Sequence, residues 1–222
     1  MSGLEIPFKV TEGYLGPQSK FEAYGLQMLA HSDPIIDMAG PTTEIIMSAP
    51  PGTRVTTKML SVAMKKECNE YHLIRRQGDN FLFLLAPPTP GFYKFQLYAL
   101  PKGEAGPQMQ CVFNYIVHCP NPGDGQPFPK QYPQWKDGCY LTEPLKIPKG
   151  NRDPAVKFNV FVPKAGDVQV KINNDWNPLE ATSPGNWEGM VDLSKNYPPG
   201  TKAKLNCKFS GHNYNTLLEY TI

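Results

Sequence analysis

From Val156 to Ile222 the apolar residues fall on every second position, in short runs that each stop at Pro, Gly, Asn or Asp. Val156, Phe158, Val160 and Val162 share one face, with Lys157 and Asn159 opposite. Val168, Val170 and Ile172 line up in the same way. Trp187, Gly189, Val191 and Leu193 stand against Glu188 and Asp192. Ala203, Leu205, Cys207 and Phe209 stand against Lys202, Lys204, Asn206 and Lys208. Leu218, Tyr220 and Ile222 stand against Glu219 and Thr221. Side chains of a strand alternate between two faces, so this period of two marks strands buried on one side only. Short half-buried strands joined by turns pack as a β-sandwich rather than an α/β fold.

The first half repeats the second in the same order. Pro50, Val55 and Lys58 have the spacing of Pro163, Val168 and Lys171. "NFLFLL" from Asn80 parallels "NWEGMV" from Asn186. Pro90-Gly91 precedes "FYKFQLYAL" as Pro199-Gly200 precedes "TKAKLNCKF". "VFNYIV" at 112–117 matches "LLEYTI" at 217–222, each with its Tyr fourth. Ordered matches of this kind indicate a degenerate tandem repeat of about one domain's length. The expected fold is all-β, two β-sandwiches in a row, each closing on a strand centred on a tyrosine. Residues 58–76, "KMLSVAMKKECNEYHLIRR", are the best helix candidate. Because "YHLIRR" alternates, we expect a strand, a charged turn at 65–70 and another strand instead.

Residues 118–130, "HCPNPGDGQPFPK", carry too much Pro and Gly for sustained pairing. They place the first sandwich at 1–118, a linker and lead-in at 119–139 and the second sandwich at 140–222. Phe128, Tyr132 and Trp135 interleave with prolines in the lead-in, which predicts an extended segment packed on a domain face rather than a floppy linker.

The chain of 222 residues has 24 Pro and 19 Gly, a composition suited to many short strands and turns. A net charge of +2 offers no electrostatic footprint for nucleic acid or a membrane surface. No apolar run approaches the ~20 residues of a membrane helix. "MSGLEIPFKV" lacks the charged start and apolar stretch of a signal peptide, so a cytoplasmic chain is expected. The cysteines are Cys68, Cys111, Cys119, Cys139 and Cys207, an odd set without paired zinc spacing. Cys111, His118, Cys119 and Cys139 form no tight metal motif, so structural thiols, no metal and no cofactor are expected.

"YPQWKDGCYLTEPL" at 132–145, "VKFNVFVPKAGDVQV" at 156–170, "NWEGMV" and "YNTLLEYTI" resemble the C-terminal region of the kyphoscoliosis peptidase and hillarin family. "PPTPGFYKFQLYA" at 87–99 and "VFNYIV" look like the end of the preceding domain in that family. The resemblance implies immunoglobulin-like accessory domains of a cytoskeleton-associated protein with a transglutaminase-like core. It also implies cytoskeletal partners of the filamin or septin type. The family's Cys-His-Asp core cannot be carried over to any residue. A nucleophilic cysteine needs a depressed thiol pKa. Cys68 stands four residues from His72 with no orienting carboxylate, Cys207 points into an expected core, and Cys139 lies in a lead-in strand. No catalytic residue is therefore expected.

Three candidate interaction or junction residues remain, Tyr132, Trp135 and Trp176. Trp135 is expected to be a packing anchor where the second sandwich begins. Trp176, in "NNDWNPLE", is expected near a turn and partly exposed. Trp187 falls on the inward face. The function expected is a non-catalytic protein-interaction module, with edge strands open to β-augmentation. Two other readings stand beside it. One is a carbohydrate-binding sandwich that stacks sugars on exposed Trp and Tyr. The other is a piece of a cysteine peptidase whose catalytic core lies outside this chain.

Overall fold

A computed structural model describes residues 4–7, 15–104 and 108–222. The expected start of the first sandwich thus lies, apart from residues 4–7, outside the described residues until position 15. The described chain forms two compact units. One comprises residues up to Ile74 and Gly78–Gln126, the other Arg75–Gln77 and Pro127–Ile222.

The strands of the first half are β1 (Gly16–Pro17), β2 (Gln27–Ala30), β3 (Ile35–Asp37), β4 (Thr43–Ser48) and β5 (Arg54–Ser61). They continue with β6 (Lys66–Glu67), β7 (His72–Gln77), β8 (Asn80–Leu85), β9 (Gly91–Leu100) and β10 (Gln110–Cys119). The second half supplies β11 (Lys130–Gln131), β12 (Tyr140–Glu143), β13 (Val156–Phe161), β14 (Asp167–Ile172) and β15 (Asp175–Pro178). It ends with β16 (Glu180–Ser183), β17 (Asn186–Val191), β18 (Lys202–Lys208) and β19 (Asn215–Thr221). The segment with the helix candidate is β5, a turn, β6, a short 3-10 helix at Asn69–Tyr71 and β7. Strands rather than a helix form here, as alternation suggests, but the charged turn expected at 65–70 lies at 62–65, because Lys66 and Glu67 fold back to pair with β5.

The repeat is topological as well as sequential. One pair of sheets runs β1–β10–β9–β5–β6 and β11–β19–β18–β14–β15. The other runs β2–β4–β8–β7 and β12–β13–β17–β16. Every strand of the second half has a counterpart in the first, and β3, which pairs parallel to β10, is the extra one. In the first unit both sheets feed one core, where Phe83 of β8 meets Phe95 of β9 edge to face at 6.0 Å. In the second, Phe158 of β13 meets Tyr220 of β19 at 5.7 Å. Aromatic contacts between sheets add to the apolar burial that drives the packing.

The two closing tyrosines do the same job. Tyr115 donates its hydroxyl to the His31 carbonyl at 2.6 Å, just past β2. Tyr220 donates to the Pro144 carbonyl at 2.8 Å, just past β12. Each bond ties the last strand of one sheet to the chain leaving the first strand of the other. A buried tyrosine hydroxyl needs a partner, and these carbonyls supply it.

A β-bulge recurs three residues before each tyrosine. The register shifts between Cys111 and Phe113 on β10, leaving Val112 as the additional residue. It shifts again opposite Leu205 and Asn206, leaving Leu217 additional on β19. Strict alternation puts only Leu218 of that pair inside. The bulge turns Leu217 inward too, and both are fully buried. Phe209 also departs from the expected inward face: it lies past the end of β18 and is half-buried.

Candidate functional site

The lead-in to the second unit runs along its last strand. Lys130 and Gln131 pair with Glu219 and Leu218 of β19. The Tyr132 amide then donates to the Leu217 carbonyl at 3.0 Å, and the Tyr132 hydroxyl donates to Glu219 at 3.0 Å. The second sheet thus recruits the chain at Lys130, ahead of Tyr140, where alternation alone begins it. Pro133–Asp137 form a 3-10 turn beside β19, and Trp135 within it is completely buried.

The face of β11–β19–β18–β14–β15 turned away from the core carries the candidate site. The core positions of β14 and β18 are Val168, Val170, Ile172, Ala203, Leu205 and Cys207, all fully buried. The alternate positions therefore point outward. One row across the sheet reads Lys130, Glu219, Lys204, Lys171 and Trp176, each register partner of the next. Asn173, at φ 52°, turns the two-residue loop between β14 and β15 and so sets Lys171 opposite Trp176.

Three aromatic rings on this face each lie beneath a lysine ammonium. Lys130 Nζ is 5.0 Å from the Tyr132 ring centre, Lys171 Nζ 4.5 Å from Trp176 and Lys208 Nζ 4.6 Å from Tyr214. The Trp176 and Tyr214 rings are 5.0 Å apart. Exposed cation–π contacts contribute about 0.5–1 kcal/mol each. Asp167 accepts from the Tyr214 hydroxyl and from Gln169, and the first of these bonds raises the Tyr214 phenol above its ordinary pKa. Glu219 lies 3.8 Å from Lys202 and 3.6 Å from Lys204. Among the described residues of this face, Lys130, Lys171, Lys202, Lys204 and Lys208 thus face two carboxylates, Asp167 and Glu219. The outer face of the other sheet is the reverse. There Lys157 pairs with Glu143 and Glu188, and Glu180 stands opposite Glu188.

The sequence candidates separate on this frame. Tyr132 and Trp176 belong to the outer face of one sheet, Trp176 being 43% exposed. Trp135 belongs to the interior, as does Trp187. Tyr214, Lys171 and Lys208 are not among the candidates the sequence offers. The hairpin loop "NN" would have matched Lys171 to Trp176; nothing local brings Tyr214 beside them.

The thiols are not set up as nucleophiles. Burial pushes Cys68 up to about 11 and Cys207 up to about 12. It also raises Cys111, Cys119 and Cys139. A catalytic thiol needs the opposite shift. His72 faces the Thr57 hydroxyl at 2.5 Å, and His118 pairs with Asp37 at 2.8 Å. Among the described residues no group of three or more His, Cys, Asp or Glu is arranged to hold a metal ion. Nor is any helix long and apolar enough to cross a membrane.

A family model described as a KY-like, immunoglobulin-like domain matches residues 9–130, more than half of the chain. The chain belongs to the KY-like immunoglobulin-like domain family. The match falls on the first sandwich and the start of the lead-in, whereas most of the motifs quoted for the resemblance lie in the second half. The second sandwich repeats the strand order of the first, apart from β3. No curated protein matches the chain. Among solved structures, the chain is similar to a chimeric titin Z1Z2-Z1Z2 tandem functionalized with a fibronectin GRGDS peptide. That similarity is 12% identity over 84% of this chain and 93% of that one, with a TM-score of 0.26. The neural ectodermal development factor IMP-L2 is 11% identical over 90% and 95%, with a TM-score of 0.30.

All five cysteines are free. Thiol titration in denaturant is therefore expected to count five, with Cys111, the half-buried one, reacting first in the native KY-like chain. A Cys139–Cys207 disulfide in protein purified without oxidant would contradict this.

Proposed function

We propose that this chain is a non-catalytic tandem interaction module of a cytoskeleton-associated, transglutaminase-like protein. Membership of the KY-like family supports the accessory role, and the raised thiols speak against catalysis. The observation that carries the interaction role is the β16 edge. The sheet β12–β13–β17–β16 ends on that strand, and all four of its residues are exposed. An edge strand offers its backbone to an incoming strand, and the partner proposed is a filamin- or septin-type protein.

Binding of filamin immunoglobulin repeats and of septins to the whole chain tests this, with Thr182→Pro as the edge variant. Thr182 is the residue left over where the β16–β17 register shifts, so proline there spares the paired positions. Partner binding weakened about tenfold or more, with the melting temperature kept, is the expected result. Protein-substrate turnover that disappears on Cys68→Ala or Cys139→Ala would overturn the reading.

The exposure of Trp176 favours the carbohydrate alternative, but Lys171 lies over its ring and competes with a stacked sugar. Neutral oligosaccharide binding that is lost on Trp176→Ala would reinstate it.

A further inference from the structure

We infer that the outer face of the β11–β19–β18–β14–β15 sheet docks an acidic, extended peptide segment of a partner protein. This rests on the interaction reading above and names a different surface, the face of one sheet rather than the edge of the other.

Charge complementarity carries the inference. Among the described residues neither Lys171 nor Lys208 makes an ion pair; each ammonium rests over an aromatic ring. Lys171 stands directly opposite Lys204 on the same face. Like charges so placed repel, and an anion between them relieves the repulsion. Of the two sheets of this unit only this one has an excess of lysine on its outer face among the described residues, since the other presents Glu143, Glu180 and Glu188 around Lys157.

The aromatics make the lysines better ligands. Ammonium groups held over Trp176 and Tyr214 restrict the rotamers of their side chains, so less freedom remains to be lost on binding. Lysine is a compact point charge suited to single carboxylates. A peptide with carboxylates on alternate residues would lay them along one face of an extended chain. A stacked sugar is disfavoured because the rings already carry cations.

Trp176 is itself the reporter. Of the three tryptophans it alone is substantially exposed, while Trp135 and Trp187 are 0% and 8% exposed. The probe is a synthetic peptide of alternating Glu and Thr, titrated into the full chain at low salt, with a Lys-Thr peptide as control. We expect saturable change in tryptophan emission with the acidic peptide only, and affinity that falls as salt rises. Lys171→Glu with Lys208→Glu should weaken binding about tenfold or more without moving the melting temperature. Lys171→Met with Lys208→Met keeps the apolar stems and should also lose affinity, which guards against a folding artefact.

No binding of the acidic peptide, or binding indifferent to both double variants, overturns the inference. Heparin binding without peptide binding overturns it in favour of an anionic polysaccharide. If filamin or septin binds and is indifferent to the lysine variants, the inference fails for the real partner while the module reading stands. If the acidic peptide binds through the lysines and neither cytoskeletal protein does, the surface stands and the choice of partner falls.

Discussion

Trp135→Ala is expected to lower the stability of the second sandwich by about 3–5 kcal/mol, the usual range for removing a large aromatic from a packed core. The residue is fully buried and stands first among the largest enclosed side chains. Its main chain is held at both ends of the turn: its amide donates to the Tyr132 carbonyl at 3.0 Å, and its carbonyl accepts from the Cys139 amide at 3.3 Å. Neighbouring residues bind the same segment to β19, through Tyr132 to Glu219 and Gln134 to Asn215. Truncation would leave a cavity beneath an anchored turn that cannot easily collapse. Against a domain stability of about 5–15 kcal/mol the loss is large. Denaturant unfolding of the variant should show it. Trp176→Ala, on the exposed face, should cost less, about 1–2 kcal/mol, since it loses one cation–π contact and the Tyr214 ring contact. A Trp135→Ala chain that keeps its stability and instead loses a ligand would make Trp135 a contact residue.

A second large effect is expected in alkali. Burial raises the phenols of Tyr115 and Tyr220 well above their ordinary value near 10. It raises the thiols of Cys68 to about 11 and Cys207 to about 12 from an ordinary value of 9.0, and Cys139 shifts in the same direction. A folded-state pKa above the unfolded one means that the unfolded chain gives up its proton first. The stability these groups contribute is therefore complete below about pH 8.5, the unfolded thiol range. It declines as pH rises past 9, then past 10 as the tyrosines join, and is lost through the raised folded values. Tyrosinate absorbance followed beside far-UV circular dichroism should show half-buried tyrosines such as Tyr132 and Tyr140 ionising before Tyr115 and Tyr220, which follow only as β-structure disappears. Tyr115→Phe with Tyr220→Phe should soften the alkaline decline. At neutral pH each change should cost about 0.5–1.5 kcal/mol, the net worth of the hydrogen bond lost to the His31 or Pro144 carbonyl. Full tyrosine ionisation with the circular dichroism unchanged would refute the assignment of these groups to the core.

The period-two alternation determined the strands of this protein by itself. The inward sets Val168, Val170 and Ile172 and Ala203, Leu205 and Cys207 are where alternation puts them, because the face a strand residue takes is a local property of the pleat. The rhyme between halves was likewise legible, and the topology repeats it in every strand but β3. The sequence also disclosed that Trp187 is inward and that Trp176 sits by a turn. Tertiary structure alone decided the rest. Leu217 is inside because a bulge adds one residue to β19 opposite β18, and a bulge is a property of a pair of strands. Trp135 and Trp176 look alike in polar, Pro-rich surroundings, yet one fills the core and the other caps a sheet, according to what packs over each. Lys208, Tyr214, Lys171 and Trp176 meet on one face only because β14, β15 and β18 lie side by side and the loop into β19 returns over them. Which strands become neighbours is set by burying two sheets against each other, a non-local balance of apolar area that no short stretch of sequence contains.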